Sequence, residues 1–192
     1  VQLLVEKEEV SEDESAYYRA VDLSEILLVI SGYNDIFSYF DPRPYSEKAL
    51  SIDFLSEVKR ASIDKDAEGI SIRFLMPDRK RSRSEEEVIQ KRLRAHFNRH
   101  FDSLKSEYDL FVRKGLLFII FGIIIMFLAT FIIFQYHETE IFTTFLVVLL
   151  EPGGWFLFWE GLNMVLFEPK KLRPDLNFYH KMSRCKISFF SK

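Results

Sequence analysis

Two apolar runs dominate the pattern of the chain. Gly115–Phe134 holds twenty residues without a charge, which as a helix spans about 30 Å, the thickness of a bilayer's hydrocarbon core. Ile141–Phe167 is longer, about 40 Å if fully helical, so a fit to the membrane requires a tilt, a kink or a break. Pro152-Gly153-Gly154 supplies the break, since proline removes a backbone donor and clashes with the preceding turn. The connector Gln135–Glu140 has only six residues, which makes the two helices antiparallel neighbours. The pattern predicts a transmembrane hairpin over residues 115–167, with spans 115–134 and 141–167 and a kink at 152–154.

Ahead of the hairpin, Ser84–Lys114 carries an apolar stripe at Ile89, Leu93, Phe97, Phe101, Leu104, Tyr108 and Phe111, at helical spacings of three and four. Ser84 is placed to cap it, Glu85-Glu86-Glu87 suit the positive end of its dipole, and no Gly or Pro interrupts it before Gly115. Further upstream, Val1–Lys7, Ile26–Ile30 and the alternating Gly69–Met76 read as strands, Ala49–Ala61 as a short helix and Phe40–Glu47 as a turn. Asp78–Glu87 is the most loop-like stretch. After the hairpin, a short helix following Pro174 and a strand at Cys185–Phe190 close the chain.

The predicted fold class is therefore a membrane α+β protein. A cytoplasmic α+β region covers 1–83, and an amphipathic stalk helix covers 84–114. The stalk is continuous with the two-helix antiparallel transmembrane hairpin at 115–167. A C-terminal return of helix and strand covers 168–192 and packs on the N-terminal region.

Charge adds direction to this picture. The net charge of −3 hides a partition: −9 over residues 1–72, +5 over 73–114, −5 over 115–169 and +6 over 170–192. Arg113 and Lys114 precede the first span, Lys170, Lys171 and Arg173 follow the second, and the connector has no base. Both termini are thus expected in the cytoplasm, with these five side chains at lipid headgroups. The localisation that follows is integral to a membrane, a prokaryotic cell membrane by preference. The first ten residues, alternating and acidic, do not read as a signal peptide. The single cysteine, Cys185, excludes an internal disulfide framework and agrees with a reducing compartment.

Candidate chemistry is sparse. Glu151, Glu160 and Asn163 form a candidate intramembrane polar site: Glu151 is placed to cap a helix restarting at Pro152 and Glu160 to sit in a wet vestibule near an interfacial Trp pair, and for either the alternative is a site for a proton, a cation or a partner. Gly115, Gly122 and Ala129 recur every seventh residue in the first span, as do Gly154 and Gly161 in the second. Small residues at that spacing point to close helix packing, within the chain or against another subunit. His96 and His100 are spaced as metal ligands, but nothing at motif spacing completes a site. The basic cluster Arg79–Arg81, Arg83, Lys91, Arg92 and Arg94 is juxtamembrane and suits anionic lipid better than nucleic acid. No phosphate loop, dinucleotide fingerprint, GxSxG or HExxH is present, so no catalytic, metal or cofactor-binding residue is assigned and no cofactor is expected.

Trp155–Phe189, with Trp155, Trp159, Glu160 and Asn163 in a Trp-x-x-x-Trp-polar segment before a basic helix and a terminal strand, resembles the C-terminal signature of a family of small, uncharacterised prokaryotic two-pass membrane proteins. The resemblance implies two spans and cytoplasmic termini, and carries no activity or functional residue with it. The expected function is that of an oligomeric, non-enzymatic assembly or scaffold protein whose cytoplasmic domain binds a protein partner. The alternatives are an oligomeric ion-conducting pore lined by Glu160 and Asn163, and a membrane-tethered ligand sensor or enzyme.

Overall fold

The computed structural model describes residues 25–63, 65, 70–135 and 141–191. The strand candidate Val1–Lys7 and the connector carboxylates Glu138 and Glu140 lie outside them. The protein is mostly helical, with a small three-stranded parallel sheet and two long apolar helices. In chain order the elements are β1 (Glu25–Val29), α1 (Ile52–Ala61), β2 (Ser71–Met76), α2 (Arg83–Gln135), α3 (Ile141–Leu166), α4 (Glu168–Ser183) and β3 (Lys186–Ser191). Short 3-10 turns lie at Tyr33–Ile36 and Asp78–Lys80. They form two compact units, one running up to Arg99 and resuming at Phe178, the other His100–Asn177.

In the first unit the strands lie in the order β1-β2-β3, every pair parallel, with Ile26 beside Ile72 and Phe74 beside Phe189. Parallel neighbours need a crossover between them. α1 lies in the first, and the second contains α2, α3 and α4. Period-two alternation in "SIRFLM" buries Ile72, Phe74 and Met76 and leaves Ser71, Arg73 and Leu75 on the other face. The buried face meets Phe54 and Val58 of α1, Ile89, Leu93 and Phe97 of α2, and Phe178 and Met182 of α4. Phe74 stacks on Phe189 with ring centroids 4.9 Å apart. The helix α1 begins where the Ser51 side chain accepts a hydrogen bond from the Phe54 amide, with Asp53 in its first turn and Lys59 and Arg60 in its last, charges suited to the dipole.

Parallel sheets are normally covered on both faces. Here both crossovers step across the sheet in the same direction, which with a common hand puts their helices on one side. On the second face Val29, Lys186 and Phe190 are exposed, while Leu27, Arg73 and Leu75 are half-buried. Arg73 crosses it, ion-paired with Glu25 and 5.1 Å from the Phe190 ring centroid.

The second unit is built on glycine. A Cβ placed on Gly122 would fall 2.6 Å from the Phe158 amide nitrogen and 2.7 Å from the Gly154 carbonyl oxygen. One placed on Gly161 would fall 2.7 Å from the Gly115 carbonyl. Ala129 is buried at the same spacing. At these positions the backbones of α2 and α3 touch, and no side chain fits between them.

Four local expectations differ from the structure. α3 runs unbroken through Pro152, so the helix does not restart there and leaves no free amides for Glu151 to cap. Pro152 costs one hydrogen bond, to the Val148 carbonyl, and twenty-five other helical residues hold the turn. Pro174 likewise lies inside α4 rather than ahead of it, and the carbonyl it frees belongs to exposed Lys170. α2 starts at Arg83, so Ser82 takes the capping place, its carbonyl accepting the Glu86 amide, and Ser84 lies in the first turn. Asp78–Glu87, expected as loop, is a 3-10 turn running into that helix.

Candidate functional site

Two clusters of polar side chains stand out, one in each unit. In the second unit they are set along α3. Gly154 and Gly161 face inward and are buried. Glu151, Trp155 and Trp159 are exposed, the indoles 57% and 63% so, with ring centroids 6.3 Å apart in an edge-on contact. Glu160 and Asn163 are half-buried. In a helix that crosses a bilayer, an unpaired charge at mid-depth costs about 2.5–3.5 kcal/mol on insertion scales. Ten residues into α3, Glu151 is about 15 Å from the Ile141 end. Glu160 is nine residues on, half a turn around the helix from Glu151, so the two carboxylates do not form one site. The Thr130 hydroxyl donates back to the Met126 carbonyl of its own helix at 2.9 Å. Arg113, Lys114, Lys170, Lys171 and Arg173 are all exposed, Lys171 paired with Glu168 at 2.7 Å.

In the first unit the polar cluster lies at the carboxyl ends of the strands. Glu86, only 7% exposed, accepts from the Arg81 guanidinium at 2.8 and 3.1 Å. The Tyr33 hydroxyl donates to the same carboxylate at 3.2 Å, and burial raises its pKa. Arg81 reaches on to the Phe189 carbonyl and the Ser191 hydroxyl. Ser191 in turn donates to Asp78 at 2.6 Å. The Glu86 pair raises the Arg81 pKa further. This network ties the end of β3 to the start of α2. It was not singled out in the sequence, where Arg81 was one member of a basic cluster. The available signal was an opposite-charge pair, Arg81 and Glu86, straddling a helix start just after Pro77.

The basic cluster assigned to lipid is divided by the fold. Arg81 is spent on Glu86, Lys80 donates to the Ser31 carbonyl and Arg92 to the Lys48 carbonyl. Arg79, Arg83, Lys91 and Arg94 stay exposed. Outside the core, Arg43 and the Ala49 amide hold Asp41 well below the usual carboxylate range in a turn. Among the described residues no three His, Cys, Asp or Glu side chains are grouped to hold a metal.

Cys185 is 4% exposed and burial pushes its thiol up to about 11. A thiolate is the reactive form, so this cysteine is not a nucleophile at neutral pH. Alkylation of the native protein at pH 8 is therefore expected to be at least a hundredfold slower than in denaturant, where one thiol per chain reacts. Fast native labelling would show that the core around Met182 and Ile187 opens freely.

What the two clusters can do differs in kind. The first-unit network is saturated by its own members and locks a strand to a helix. The α3 groups have acceptor and donor capacity turned outward, which suits contact with another molecule. No known protein family, curated protein sequence or solved structure matches the chain, so its function is read from this geometry alone.

Proposed function

We propose that the chain is a two-pass integral membrane protein with both termini in the cytoplasm, which assembles into homo-oligomers and binds a protein partner through its first unit, without catalysis. The observation that carries the membrane part is the pairing of β3 with β2. These strands lie on either side of the apolar helices in sequence, and a single sheet cannot be shared across a bilayer. The chain must therefore return to the side it left, by an even number of crossings. The outward faces of the apolar helices support the same reading. Phe127, Phe134, Phe142 and Phe156 are 67–81% exposed, a surface suited to lipid tails. The flanking bases support the assignment of that side to the cytoplasm.

The partner-binding part rests on the exposed apolar side chains of the second sheet face. Val29 and Phe190, 59% and 41% exposed, sit beside the Arg73–Glu25 pair on a layer that parallel sheets normally cover.

Tags at both ends of the chain test the topology. Protease added to intact spheroplasts should spare both tags and remove both after permeabilisation, with the protein resisting carbonate extraction throughout. Cleavage of one tag alone sinks the two-pass reading. For the partner, photo-crosslinking residues at positions 29 and 190 should give adducts with a second protein species in intact cells, whereas one at exposed Lys91 should not. No adduct at either face position would remove the scaffold role.

A further inference from the structure

The geometry points to the exposed side of α3 around Glu151 and Trp155 as the surface on which a second copy of this chain docks within the membrane. This rests on the transmembrane reading. At 100° per residue, Val148, Glu151, Trp155 and Trp159 fall within an arc of about 80°, turned away from the Gly154–Gly161 ridge that packs on α2. All four are exposed. Among the described residues no hydrogen bond reaches Glu151 or either indole.

The face is complementary to itself. A carboxyl oxygen accepts hydrogen bonds and an indole N–H only donates. Glu151 and Trp155 stand one turn apart on one face, and helix side chains lean toward the N-terminus, which brings the long Trp155 ring back toward the depth of residue 151. A two-fold axis along the membrane normal puts equal residues at equal depth, so each copy's Trp155 meets the other's Glu151. The bond satisfies both polar groups at a depth where water does not reach them. Pro152 adds a second acceptor at that depth by freeing the Val148 carbonyl, which a helix in lipid must also satisfy. An unrelated protein would have to bring a donor to this same depth, whereas a second copy carries one by symmetry.

Cysteine cross-linking in native membranes tests the face. Cys185 is buried and stays in place, so the unsubstituted chain serves as the blank. Val148→Cys is expected to form a disulfide-linked dimer under mild oxidation. Gly153→Cys, 140° around the same helix and with open space for its side chain, is expected to stay monomeric. In mild detergent, Trp155→Phe, which keeps the ring and loses the N–H, and Glu151→Leu should each raise the dimer dissociation constant at least tenfold. A cross-link at Gly153→Cys instead of Val148→Cys overturns the proposal, as does an unchanged dissociation constant in both variants. A Val148→Cys adduct of a mass other than twice the chain assigns the face to a different protein and also overturns it. Carbonate extraction of the same membranes separates this failure from failure of the membrane reading, because a chain that is embedded yet does not cross-link refutes the dimer face alone.

Discussion

Gly122→Leu is expected to unfold the hairpin. A Cβ at residue 122 already falls 2.6 Å from the Phe158 nitrogen, 2.7 Å from the Gly154 oxygen and 2.9 Å from the Phe158 Cα, and all three are backbone atoms. Overpacking typically costs about 1–3 kcal/mol when flexible side chains can yield. Here a helix must move instead, so the loss should exceed about 3 kcal/mol, the top of that range. Gly153 is the internal control. It is one residue from Gly154, has nothing within 4 Å of a built Cβ, and Gly153→Ala should stabilise α3 by up to about 1 kcal/mol through helix propensity. Both tryptophans of the chain lie in α3, so the emission of reconstituted protein during denaturant titration reads this unit directly. Equal midpoints for Gly122→Leu and the unsubstituted chain would refute the backbone contact.

Glu86→Ala is the second large effect, and it acts on the other unit. The substitution removes the carboxylate that two Arg81 nitrogens and the Tyr33 hydroxyl share, and leaves a partly buried guanidinium with only the Phe189 carbonyl and Ser191. Breaking a buried pair from one side costs about 3–5 kcal/mol, and the 29% exposure of the Arg81 side chain argues for the lower end. The Cys185 thiol reports the opening of this core, so its native alkylation should speed up by about a hundredfold or more, tenfold for each 1.4 kcal/mol. Adding Arg81→Met should recover part of the loss, because the uncompensated charge goes with it. Strictly additive losses would mean that the pair is a surface contact after all.

The residues that the sequence made legible are those whose signal is local. Alternation in "SIRFLM" marks β2 and its buried face, and the spacing of Ile89, Leu93 and Phe97 marks the side of α2 that meets the core. Two charge-free runs mark the apolar helices. Strand direction was not legible, because pairing between Phe74 and Phe189 is decided by packing across the whole chain. Pro152 and Pro174 misled for a related reason. Proline costs one hydrogen bond and a clash, which a short peptide cannot absorb and a long packed helix can. Among the site residues, Glu151, Trp155 and Trp159 announce themselves as polar or amphipathic groups in oil. The Arg81–Glu86–Tyr33 network does not, since Tyr33 is a distant residue whose neighbours only the fold assigns.

The second crossover of the sheet has a consequence for how the protein is made. Asp78 and Ser191, joined through a hydrogen bond, are 113 residues apart, and both apolar helices are synthesised in between. The ribosome must therefore release β2 long before its partner exists, leaving an edge of unpaired amides and carbonyls exposed in the meantime. β3 follows both apolar helices, and in a two-pass chain it reaches that edge only if both have crossed the bilayer. A chain stranded after one crossing would hold β3 on the far side of the membrane, with an incomplete core that proteases recognise. On the two-pass reading, sheet closure acts as a checkpoint on insertion, in which a strand made after both apolar helices certifies the topology of the segments between it and β2.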